Sequence, residues 1–90
     1  MSETKLLVGS LSNDLFRVAN LTQRGSSLAA MRFMIEAQKW AQQLQKENIA
    51  SYIRDIAREI TLCKTTEISL EMAERYLMYG ILLQNYSLHS

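Results

Sequence analysis

Residues 26–47 read SSLAAMRFMIEAQKWAQQLQKE, and this stretch decides the fold. Ala30, Phe33, Ala37, Trp40 and Leu44 recur in alternating steps of three and four, the spacing that lines one side of an α-helix. Met34 and Ala41 widen that seam to the breadth a globular core requires, whereas a lone coiled coil needs only a narrow strip. Arg32, Glu36, Lys39, Gln43 and Lys46 fall on the opposite side. At about 1.5 Å per residue the element is roughly 33 Å long. It is therefore the expected spine, against which shorter helices pack.

On either side the chain continues to read as helix. Leu11, Leu15, Val18 and Leu21 share a face, with Ser10 or Ser12 as cap, and Asp14 is placed in the first turn, where its charge meets the positive end of the helix dipole. Gly25 suits the left-handed position that ends this helix. Ile49, Tyr52, Ile53, Ile56, Ala57 and Ile60 form a third apolar face; their β-branched side chains suit a strand by propensity, but the period is that of a helix. Asn48 is expected to end the second helix or cap the third. Thr65-Thr66-Glu67 reads as a loop, Ser69 as a cap with Glu71 in the first turn, and Ile68 with Ala73 as a hydrophobic staple. The expectation is all-α: an antiparallel four-helix bundle with helices near 11–23, 26–47, 49–63 and 69–86, a long second helix, and association as a dimer. Residues 1–90 form a single domain, in which residues 1–9 show no helical period around Leu6, Leu7 and Val8 and are expected as a flexible or docking N-terminal tail.

The fourth helix supplies the argument for a dimer. Its second half, YLMYGILL at residues 76–83, carries no charge on any side. No helix of a four-helix bundle this small is enclosed all round, so a second copy is expected to cover the outer side. Tyr76, Tyr79, Gly80, Ile81, Leu82 and Leu83 are the expected partner or dimer interface. Gly80 costs about 1 kcal/mol in mid-helix relative to alanine, which a close approach by another backbone would justify.

Catalytic sets are missing from the sequence. Three separated glycines cannot build a phosphate-cradling loop. The single Cys63 and single His89 give no metal spacing, and as a nucleophile and base they would join a helix end to a frayed terminus. Glu71 and Glu74 lack the partner residues of a carboxylate metal site and read as a solvated face. No enzyme activity, cofactor or metal is expected. One thiol, no signal-peptide pattern and no run of about 20 apolar residues point to a cytoplasmic setting without a membrane partner. Net charge is +1, spread as a mild dipole: six bases against three acids in residues 1–46, four against six in residues 47–90.

The resulting expectation is a non-enzymatic helical module for protein–protein interaction, a small regulator or adaptor, with a second copy of itself and a further protein as partners. The alternative is a small nucleic-acid-binding regulator that uses a basic stripe of Arg17, Arg24, Arg32, Lys39 and Lys46. Against it, Glu36 interrupts the stripe, and the second helix begins with Leu28, Ala29, Ala30 and Met31, which cannot read bases. A third reading is a bundle that encloses a small apolar ligand.

Overall fold

The first helix begins well before Ser10. In the computed structural model, which describes residues 2–64 and 66–89, α1 spans Glu3–Gln23, α2 Ser27–Leu44, α3 Ser51–Leu62 and α4 Leu70–His89. Met1 of the expected tail, Thr65 of the expected loop and the terminal Ser90 lie outside the described residues. No strand occurs among the described residues.

Residues 3–9, expected as a tail, are the first two turns of α1. Ser2 caps them: its hydroxyl accepts from the Lys5 amide at 3.1 Å, and Glu3 sits in the first turn at the positive end of the dipole. Burial holds the extension in place, because Leu7 and Val8 continue the buried face of Leu11, Leu15, Val18 and Ala19. Ser10 and Ser12, expected as caps, lie inside the helix. At its other end α1 stops as expected. Gly25 has φ 81°, its amide reaches the Thr22 carbonyl at 3.0 Å, and the Ser26 amide reaches the Leu21 carbonyl at 2.8 Å. These two bonds close the terminus in a Schellman motif.

The α2 helix has 18 residues and ends at Leu44. Its buried residues are Ala30, Met34, Ala37, Ala41 and Leu44, while Phe33 and Trp40 are half-buried at the flanks. Three of the five central positions are alanine, so neighbouring helices approach closely there and the large rings pack at the margin. Beyond Leu44 the Arg54 guanidinium donates to the carbonyls of Gln45 at 2.6 Å and Glu47 at 3.0 Å. A cation thus meets the negative end of α2. Asn48 takes neither expected role: Ala50 holds the N-cap position of α3, and Gly25 is the only positive-φ residue among those described.

The α3 helix buries Ile53, Ile56, Ala57 and Ile60. Its last carbonyls are satisfied from α2, where the Gln38 amide donates to Ile60 at 3.3 Å and Cys63 at 2.7 Å. Ser69 caps α4 as expected, accepting from the Met72 amide at 3.1 Å, and Ile68 and Ala73 are both buried.

These helices make a bundle around one core. Both α2 and α4 pack on α1, and α3 packs on α2. The 21-residue α1 therefore takes the central place expected for the second helix. Leu7, Leu11, Leu15, Met34, Leu44, Ile53, Ile60 and Leu83 are among the side chains that meet in the interior.

Candidate functional site

The fourth helix divides its uncharged half between two environments. Ala73, Tyr76, Gly80 and Leu83 face the core. On the other side Met78 is 59% exposed, Ile81 47%, Leu82 37% and Leu88 67%. Of the six residues expected at an interface, Ile81 and Leu82 are therefore presented outward, Tyr79 is half-buried, and Tyr76, Gly80 and Leu83 are enclosed by the chain itself.

Each inward residue has a specific task. The Ser12 hydroxyl donates to the Gly80 carbonyl at 2.7 Å, and a Cβ on Gly80 would sit 2.8 Å from the Phe16 ring. The close approach that Gly80 permits is thus made by α1 of the same chain. Tyr76 stands with its hydroxyl 3.6 Å from the Cys63 sulfur, and burial, with that contact second, pushes its pKa well up. Tyr79 donates to Glu59 Oε1 at 2.8 Å; burial and then this bond raise its pKa. Arg75 reaches the other Glu59 oxygen at 3.4 Å, so a single carboxylate ties α3 to α4. Tyr86 accepts from the Ala50 amide at 3.2 Å and stands edge-on to Tyr52.

A groove of about 350 Å³ adjoins the outward face, lined by Lys5, Leu6, Gly9, Ser10, Asn13, Ser87 and Leu88. Leu6 is 56% exposed there. It joins Leu88 in a mostly apolar channel between α1 and α4.

A second hollow, of about 130 Å³, lies between α1 and α2 and is lined by Ser10, Asn13, Asp14, Arg17, Glu36 and Trp40. Asp14 is only 2% exposed. Its Oδ1 accepts from Arg17 at 3.3 Å, and Oδ2 is sealed from solvent. Burial, reinforced by the charge of Glu36, raises its pKa to about 6, against the opposing pull of Arg17 and the Trp40 N–H. The expected position of Asp14 in a first turn is corrected by the longer α1, which places it in mid-helix. A sequence signal for this exists. Leu7, Leu11, Asp14, Val18 and Leu21 follow steps of four and three, so Asp14 is the ionisable member of an apolar stripe once the helix is extended.

The expected basic stripe is dispersed in use. Arg24, Arg32, Lys39 and Lys46 are exposed, with exposed Glu36 between Arg32 and Lys39, and Lys46 lies beyond the last residue of α2. Arg17 is engaged twice, by Asp14 and by the Phe33 ring, whose centroid lies 5.2 Å from the guanidinium carbon. Among the described residues no three His, Cys, Asp or Glu side chains are grouped to hold a metal ion, and no helix is long and apolar enough to cross a membrane. Compared with protein-family models, curated proteins and solved structures, the chain matches none.

Proposed function

We propose that this chain is a non-enzymatic helical interaction module that self-associates through the outward face of α4 and acts as a small regulator or adaptor in the cytoplasm. The observation that carries this reading is the outward row Met78, Ile81, Leu82 and Leu88 on a stretch, residues 76–88, without a charged side chain. Water gains nothing from such a row, and covering it releases the free energy of apolar burial, about 25 cal/mol per Å².

Size sets a condition on the interface. A stable contact buries about 800 Å² per partner. One face of a 20-residue helix, about 30 Å long and 10 Å wide, offers roughly 300 Å². The contact must therefore spread onto α1, and Leu6 with the groove beside Leu88 is the apolar surface adjoining it. We read the helices as antiparallel neighbours, since the Thr4 hydroxyl at the start of α1 bonds Glu47 just past α2, and Lys5 and Leu88 share the groove. In a two-fold dimer the same patch would serve both copies.

Sedimentation equilibrium tests the reading. The chain is expected to sediment as a dimer at tens of micromolar, and Ile81→Glu as a folded monomer. A monomeric parent chain would refute self-association. Nucleic-acid binding rests on the exposed Arg24, Arg32, Lys39 and Lys46, and it would take precedence if the chain bound random DNA with a steep salt dependence that is lost when these are neutralised.

A further inference from the structure

The outward face of α4 differs at its two ends. Glu74, Ile81 and Leu88 form one exposed row along it, spaced by seven residues. Seven residues make close to two helical turns, so Glu74 and Leu88 stand about 10.5 Å to either side of Ile81. One end of the row is acidic. Glu71 and Glu74 are exposed there, and Arg75 beside them is bound to Glu59. At the other end Leu88 lies in the groove that Lys5 and Leu6 of α1 line. Glu3 in the first turn of α1 offsets Lys5, and His89 follows Leu88, so this end has no acidic excess.

We propose that two copies pair antiparallel through this row, about a two-fold axis at Ile81, with Glu74 of each copy meeting Lys5 and Leu88 of the other. The arrangement rests on the self-association proposed above and adds its orientation, register and contacts. A two-fold axis at Ile81 sets each residue opposite the one equally far beyond Ile81 in the other copy. Glu74 therefore comes level with Leu88 and the Lys5 beside it. A two-fold contact requires a patch complementary to itself. An acidic end and a lysine-bearing groove at equal distances from one apolar residue meet that requirement, which an unrelated partner would not impose. Charge selects the orientation. A parallel pair would set Glu71 and Glu74 against their own copies, and like charges at one level repel. Area selects it too. One face of α4 is too narrow by itself for a stable contact. Antiparallel pairing lays the first half of each α4 over the other copy's groove, where exposed Met78 offers a flexible side chain to Leu6 and Leu88. A parallel pair would bring groove against groove and leave those apolar walls wet.

Cysteine pairs read the arrangement, in a chain carrying Cys63→Ser and shown to be dimeric by sedimentation. Ile81→Cys is expected to form a disulfide with its own copy under mild oxidation. Glu74→Cys and Leu88→Cys each lie about 21 Å along the axis from their own copies, beyond disulfide reach. Oxidised singly they are expected to stay unlinked on a non-reducing gel, and to link when the two variants are mixed. Self-linking of both in a dimer would overturn the antiparallel pairing and leave self-association standing. A dimer that links at none of the three positions would place the contact elsewhere and overturn the proposal. A monomeric parent chain would overturn both the pairing and self-association. Charge reversal gives a second reading. Lys5→Glu and Glu74→Lys, each checked for folding by circular dichroism, are each expected to raise the dimer Kd by about fivefold, and the double variant to restore it to within about twofold. A double variant weakened by the product of the two single effects would overturn the contact between these residues.

Discussion

Burial of the Asp14 carboxylate beside Glu36 makes acid conditions favourable to this part of the fold. The Asp14 pKa rises from 3.8 to about 6 on folding, so between those values the folded chain holds the proton more tightly than the unfolded chain. The resulting stability is fully present below the lower value and is lost as pH rises through the upper one. About two units correspond to roughly 2–3 kcal/mol. Urea unfolding is expected to show this loss between pH 4 and pH 7, against a background set by the other acids. Asp14→Asn should remove the loss and raise the midpoint at neutral pH. A parent and variant with parallel pH profiles would contradict the account. Gly80 poses a second question at this scale. Alanine would gain about 1 kcal/mol of helix propensity, but its Cβ would meet the Phe16 ring at 2.8 Å. Overpacking costs about 1–3 kcal/mol. Gly80→Ala is expected to lose about 1 kcal/mol in chemical denaturation, and to lose less in a Phe16→Leu background.

Among the elements, α1 tests how far local patterns reach. Gly9, Ser10 and Ser12 have the composition of a helix start, which hides the apolar positions before them. The helix forms through them because Leu7 and Val8 gain a core, and burial outweighs the weak propensity of one glycine. Leu7→Ala should therefore cost about 2–3 kcal/mol by thermal or chemical denaturation, where the same change in a tail would cost almost nothing. The end of α1 was legible because everything it needs is local: one glycine, a left-handed φ and two backbone bonds. The end of α2 was less so, because the carbonyls of Gln45 and Glu47 just past it are taken by Arg54, which belongs to the next helix and looks like a residue of a wet face. Periodicity likewise identified the apolar side of α2. Which of its residues would be fully enclosed depended on how closely α1 and α3 approach its alanines, and no single-helix pattern contains that distance.

For the whole molecule the same limit explains the fourth helix. An uncharged stretch does not mark which of its sides its own chain will cover. Ser12 and Phe16 on α1 settle this by meeting Gly80, and Ile81 and Leu82 are left outside. If a second copy covers them, folding and association are linked. The melting temperature should then rise with protein concentration. Ile81→Glu should abolish that dependence while preserving the helical signal. A concentration-independent melting point in the parent chain would count against the dimer.

The short bond from Ser12 to the Gly80 carbonyl also acts as a latch. Sliding α4 by one turn, or rolling it about its axis, would strand a buried hydroxyl and drive a side chain into Phe16. The outward row is thereby held at one height and one angle before anything touches it. A visitor to that surface meets a rigid template, and little of the binding free energy is spent on arranging it.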